Sequence, residues 1–155
     1  MSIRTGSKAP EFTLKDDQNK VVSSKDLRGK WIILYFYPKD ETPGCTQEAC
    51  DFRDNFDDFK KKNAVILGVS KDSVKDHQQF KANHSLPFTL LSDDTGKVCE
   101  SYGVWVDKQM MGKQYKGIER TTFLIDKNGV IAHIWPKVKV SGHIQEILEK
   151  LDNTP

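Results

Sequence analysis

Two of the three cysteines in this 155-residue chain, Cys45 and Cys50, stand five residues apart in the segment TPGCTQEAC. An odd number of cysteines argues against a framework of structural disulfides. The spacing is neither that of a CxxC redox pair nor that of a zinc knuckle. Catalysis, redox sensing, a wider metal site or simple packing are the uses left for these thiols. Thr42-Pro43-Gly44-Cys45 reads as a helix start: Thr42 can cap, Pro43 suits the first helical position, and Cys45 then falls in the first turn. Free amide N–H groups and the positive pole of the helix dipole favour a thiolate there. A helix end contributes roughly 0.3–1 kcal/mol. Turning an ordinary thiol, with a pKa of about 8.5, into a mostly ionised one at neutral pH takes about 3 kcal/mol. A cation or further donors are therefore expected beside Cys45.

The spacing also constrains any chemistry the two thiols share. On an ideal helix, five residues turn the chain by ~500° and rise ~7.5 Å, so the Cα atoms lie roughly 8–9 Å apart and point about 140° away from each other. A disulfide needs Cα atoms about 4.4–6.8 Å apart. The two sulfurs can bond only if the first turns unwind, which is tolerable where local opening costs little, as at a helix end.

The elements that must position these thiols follow from periodicity. Glu11 to Leu14 and Val21 to Ser23 read as a short hairpin, and Trp31 to Tyr37 (WIILYFY) as a strand covered on both faces. From Pro43 to about Lys61 the apolar residues Cys45, Ala49, Phe52, Phe56 and Phe59 recur at steps of four and three, one face of a single helix. Ala64 to Val69 is a second buried strand, Ser73 to about Asn83 a helix, Phe88 to Leu91 a short strand, and Thr95 to Tyr102 another helix. Arg120 to Asp126 and Val130 to Trp135 form a hairpin whose turn, Asn128-Gly129, supplies positive φ. Ser141 caps a final amphipathic helix through Ile144, Ile147, Leu148 and Leu151. This order predicts one α/β domain over residues 1–155, with a mixed sheet flanked by helices and an N-terminal β-hairpin. A thioredoxin-like fold is the simplest arrangement that satisfies it.

Composition excludes other classes. With a net charge of +2 and lysines interleaved with acids, the chain lacks the basic surface of a nucleic-acid or anionic-membrane binder. The basic residues Lys60 to Lys62 read as a solvated helix end. The longest apolar run is far shorter than the ~20 residues of a membrane span, and no hydrophobic leader segment is visible, so a cytoplasmic protein is expected. His77, His84, His133 and His143 show no metal-ligand spacing, and no metal or cofactor is expected. Cys99 reads as a packed helix residue, Trp31, Trp105 and Trp135 as core or pocket-wall residues, and Asp93 and Asp94 as loop.

The segment PKDETPGCTQEAC strongly resembles the active-site segment of the peroxiredoxins, in particular the peroxiredoxin Q group, also called bacterioferritin comigratory proteins. The resemblance continues through YGVW (Tyr102 to Trp105) and GKQYKGIERTTFLID (Gly112 to Asp126), and so covers nearly the whole chain. It implies a thiol peroxidase. Cys45 would be the peroxidatic thiolate that becomes a sulfenic acid, and Cys50 the resolving thiol that condenses with it to an intramolecular disulfide. Thr42 and Arg120 would orient the peroxide, and Pro38 would shield the pocket. Thioredoxin or a similar dithiol protein is the implied reductant, hydrogen peroxide or an organic hydroperoxide the substrate, and a monomer the implied state. Arg120, a permanent cation at the start of a predicted strand, is a candidate for the charge that the helix end lacks. Glu48 also falls in the motif, and a carboxylate in the first turn of a helix is favourable whatever else it does. A protein disulfide oxidoreductase and a non-catalytic redox sensor are the competing readings. The first lacks its usual CxxC.

Overall fold

The computed structural model describes residues 3–154. In chain order its elements are β1 (Thr13–Asp16), β2 (Val21–Ser23), β3 (Trp31–Phe36), α1 (Pro43–Asp54), α2 (Phe56–Lys61), β4 (Ala64–Ser70), α3 (Val74–His84) and β5 (Thr89–Ser92). They continue with α4 (Lys97–Ser101), β6 (Trp105–Met110), β7 (Lys113–Ile118), β8 (Thr121–Ile125), β9 (Ile131–Trp135) and α5 (His143–Asp152). Seven strands make one mixed sheet in the order β2-β1-β5-β4-β3-β8-β9. β3, β4 and β5 are parallel; β8 runs antiparallel to β3, β9 to β8, and β1 to both β2 and β5. This is the thioredoxin-like α/β sheet that the element order predicts.

β3 shows why the sheet needs two covers. Every one of its residues is buried, and successive side chains go to opposite faces. Trp31, Ile33 and Tyr35 share a core with Cys45, Ala49 and Phe52 of α1, Phe80 of α3 and Ile147 of α5. Ile32, Leu34 and Phe36 join a second core with Val98 and Cys99 of α4, Phe12 and Phe123. Cys45 and Cys99 therefore lie on opposite faces of the sheet.

Several boundaries differ from the sequence reading. The single helix expected from Pro43 to Lys61 is two, broken at Asn55, whose side-chain Nδ2 donates to the Asp51 carbonyl at 2.8 Å. An Asn that bonds back to the helix offers the backbone an alternative to the next turn. The apolar stripe survives the break, because Phe52 and Phe59 are both fully buried. The last helix is capped not by Ser141 but by Gly142, at φ +78°. In the β8–β9 turn only Gly129 has positive φ, while Asp126 Oδ1 accepts from the amides of Asn128 (2.9 Å) and Val130 (3.0 Å). The β6–β7 hairpin has no counterpart among the elements expected from periodicity. Its strands are mostly exposed and lack an apolar alternation, and its turn places Met111 at φ +53° before Gly112.

Candidate active site

The chain leaves the carboxyl end of β3 through Tyr37–Glu41 and enters α1, so the first turn of α1 opens on the end of the sheet where ligands of α/β proteins bind. Cys45 lies in that turn and is 1% exposed, held by its packing beside Ala49 and Phe52. Thr42 occupies the cap position with extended backbone, but its side chain makes no capping bond. Its hydroxyl instead donates to the Lys39 carbonyl at 2.8 Å, which corrects the expectation of a side-chain cap. The consequence is useful: the first-turn amides keep their capacity to face an anion.

Arg120, between β7 and β8, supplies the expected cation. Its Nη2 donates to Cys45 Sγ at 3.4 Å, and its Nη1 donates to Glu48 Oε1 at 2.7 Å. One planar guanidinium thus spans two groups one turn apart on α1. Gly44 permits this approach, since a Cβ there would sit 3.1 Å from Arg120 Nη2. Glu48 is completely buried. Burial pushes its carboxyl up to about 7 against the pull of Arg120. Among the described residues its Oε2 has no partner, and neither has the buried hydroxyl of Tyr35, which feels the charges of both Glu48 and Cys45. Glu48 and Cys45 therefore share the charge of one guanidinium. When Glu48 is neutral, Arg120 is free to stabilise a thiolate.

Cys50 is half-buried on α1, and all three cysteines are free thiols. With α1 intact from Pro43 to Asp54, the spacing argument applies and Cys45 and Cys50 are out of bonding range. Pro38 is exposed. With Lys71, Trp105, Lys108, Tyr115, Lys116 and Ile118 it lines a concavity of about 340 Å³. Lys108 in that wall senses the charges of both Arg120 and Cys45. A larger concavity of about 660 Å³, between Arg4, Lys8, Arg28 and Asn128, contains none of these residues. Cys99 is apart from all of this. Burial and the neighbouring Asp93 push its thiol up; Asp93 lies in the loop before α4, as expected, and its carboxylate accepts from the amides of Val98 and Cys99.

The structure thus brings together Cys45, Arg120, Thr42 and Glu48, with Cys50 further along the same helix and Pro38 in the loop before it. Sequence reasoning missed the buried Tyr35 hydroxyl and a set of contacts made by Asp40 and Glu41. Those two acids immediately precede Thr42, and their place inside the motif was the available signal.

The AhpC/TSA family profile matches residues 5–134. The chain is 62% identical over 151 residues to a Coxiella burnetii protein named putative peroxiredoxin bcp, covering 97% of this chain and 100% of that one. It is similar to a solved Xanthomonas campestris bacterioferritin comigratory protein, studied as trapped intermediate and ligand complexes for its alkyl peroxide reduction activity; the TM-score is 0.88 at 42% identity, over 92% of this chain and 90% of that one. It is also similar to a cysteine-to-serine mutant of Xylella fastidiosa PrxQ, with a TM-score of 0.93 at 36% identity over 99% and 98% of the two chains.

Proposed function

The chain belongs to the AhpC/TSA family, among its Bcp and PrxQ peroxiredoxins, and is a thiol peroxidase; from that premise we propose that Cys45 is the sulfur that takes the oxygen and Cys50 the thiol that removes it. The observation that carries the reading is the guanidinium of Arg120 on Cys45 Sγ at 3.4 Å, with that sulfur in the first turn of a helix. A permanent cation that donates to sulfur interacts more favourably with a thiolate than with a thiol.

The Cys45 thiolate attacks the terminal oxygen of a hydroperoxide ROOH. An S–O bond forms, the O–O bond breaks, and the leaving RO⁻ takes a proton to become ROH. Cys45 is left as a sulfenic acid, the reversible rung of thiol oxidation. Arg120 stabilises the charge that moves from sulfur to the leaving oxygen. The Thr42 hydroxyl spends its proton on Lys39, so its lone pairs are oriented to accept from the peroxide O–H. Pro38 and the neighbouring wall shield the thiolate from bulk water. Cys50 sulfur then attacks the sulfenic sulfur; the S–S bond forms, S–O breaks, and hydroxide departs with the proton from Cys50 as water. A dithiol reductant, in our reading thioredoxin or a similar protein, restores both thiols and becomes a disulfide itself.

Three free thiols on one chain suit a reducing compartment, and we read the protein as a cytoplasmic monomer. Among the described residues no helix is long and apolar enough to cross a membrane. The test is steady-state peroxide consumption with a thioredoxin system. Cys45→Ser is expected to abolish consumption, whereas Cys50→Ser is expected to consume one peroxide per chain and then stop. Normal turnover by Cys45→Ser would refute the assignment.

A further inference from the structure

Helix α3 runs beside the loop that carries Pro38 and Thr42, and two of its histidines grip that loop. His77 and His84 are seven residues apart, which on an ideal helix puts them within ~20° of the same face and ~10.5 Å apart along the axis. They hold consecutive acids. His77 Nδ1 is 2.6 Å from Asp40 Oδ2, and His84 Nε2 is 2.7 Å from Glu41 Oε1.

The two grips differ in kind. His77 is fully buried and its Nε2 donates to the Leu91 carbonyl of β5 at 2.9 Å. That nitrogen must carry hydrogen, so the short Nδ1–Asp40 contact requires a second proton shared between ring and carboxylate. Asp40 also accepts from the Tyr37 hydroxyl (2.5 Å), and its amide donates to Asp72 Oδ2 (2.9 Å), which accepts from Ser70 as well. The side-chain atoms of Asp40, Asp72 and His77 converge within 4.8 Å. The direct contact between the buried His77 ring and the buried Asp40 carboxylate makes this a closed lock. Its charged and titratable neighbours are Tyr37, in the loop that follows β3, and Asp72 from the β4–α3 loop.

The second grip is open to water. The Glu41 side chain is 42% exposed and that of His84 25%. Glu41 also accepts from Asn83 Nδ2 at 2.5 Å, and its backbone lies in the left-handed region at φ +64°, where a residue with a Cβ is strained. Beyond the cysteines, Arg53 near the end of α1 donates from Nη1 to the His84 carbonyl at 2.8 Å. The chain is thus tied to α3 at residues 40 and 41 before Cys45, and at residue 53 after Cys50.

We propose that His77 and His84 are positioning residues for the segment that carries Cys45: the buried Asp40–His77 contact is a fixed hinge that holds Thr42 in place, and the exposed Glu41–His84 contact is the catch that releases Cys45 toward Cys50. Glu41 directly precedes the cap residue Thr42. Relaxation of its left-handed backbone to the extended region swings the following turn as a unit, as hinge residues do. Arg53 keeps the far end of the segment in place, so the opening stays local. The proposal rests on the assignment of Cys45 and Cys50 above.

The experiment oxidises the reduced protein with one equivalent of hydrogen peroxide, quenches it at intervals, and follows intact mass. Gain of one oxygen marks the sulfenic acid; its replacement by loss of two hydrogens marks the disulfide. For His84→Gln, disulfide formation is expected to accelerate about two- to fivefold, the range set by one exposed side-chain pair of this kind. The peroxide step should keep its rate. Glu41→Gln is expected to behave alike, and the double variant to add nothing. His77→Gln should slow the peroxide step, because the hinge that places Thr42 is lost. Wild type that resolves normally beside folded His84→Gln and Glu41→Gln with unchanged resolution rates overturns the proposal alone. Wild type that forms no Cys45–Cys50 disulfide overturns the underlying assignment and this inference with it.

Discussion

Glu48 is the residue whose charge decides how Arg120 is used. Its carboxyl, ordinarily near 4.5, is raised to about 7 chiefly by burial, with Arg120 pulling the other way. A group whose folded value exceeds its unfolded one contributes stability that is complete below the unfolded value and lost as pH rises through the folded value. Glu48 therefore costs the native state about 3 kcal/mol, at most, between roughly pH 4.5 and 8. Glu48→Gln keeps a hydrogen-bond acceptor for Arg120 and removes the titration. The expected outcome is that wild type loses stability relative to Glu48→Gln between pH 5 and pH 8, in urea unfolding at each pH. Parallel stability–pH curves would show that Glu48 stays ionised throughout. The same titration sets how much of the guanidinium's charge Glu48 compensates, since a neutral Glu48 leaves that charge to Cys45.

At the scale of the element, α1 has two duties that conflict. Folded, it buries Cys45 in its first turn under Arg120; unwound, it lets Cys45 reach Cys50. The break at Asn55 divides these duties from the rest of the stripe. α2 keeps Phe59 in the core while α1 can open, so the rearrangement need not spread through the helical layer. Hydrogen exchange should report this directly. The disulfide-bonded protein is expected to lose amide protection from Thr42 to about Arg53, with α2 and β3 keeping theirs. Equal protection of α1 in both redox states would contradict the geometry, because Cα atoms roughly 8–9 Å apart on an intact helix cannot be bridged.

Across the whole molecule, the site depends on how tightly the sheet packs behind it. Gly68 on β4 stands in register with Tyr35 on β3. A Cβ at Gly68 would lie 2.9 Å from both Tyr35 Cζ and its hydroxyl oxygen, and 3.0 Å from Leu90 Cδ2. Tyr35 in turn stacks on Phe52 of α1, with ring centroids 4.6 Å apart. Gly68→Ala overpacks this layer, and such changes cost about 1–3 kcal/mol. At about 2–4 °C per kcal/mol for a chain of this size, the melting temperature is expected to fall by roughly 2–12 °C. An unchanged melting temperature would mean that Tyr35 repacks freely.

Much of this was legible without coordinates. The doubly buried strand from Trp31, the stripe through Cys45, Ala49, Phe52 and Phe59, and the order of elements all follow from side-chain periodicity, which is local. So does the placement of Cys45 in a first helical turn, and with it the demand for a cation and for unwinding. The β6–β7 hairpin escaped because exposed strands carry no apolar period, and the Asn55 break because one polar side chain ended a helix inside a continuous stripe. What only the tertiary structure decided are the meetings of residues far apart in the chain. Arg120 reaches Cys45 and Glu48 because β8 pairs with β3 and delivers its start to the end of the sheet where α1 begins. His77 and His84 reach Asp40 and Glu41 because α3 crosses back beside that same loop. Local pattern records which face a residue buries. It holds no record of what stands opposite, since that is set by the register and crossing of elements that only the folded chain brings together.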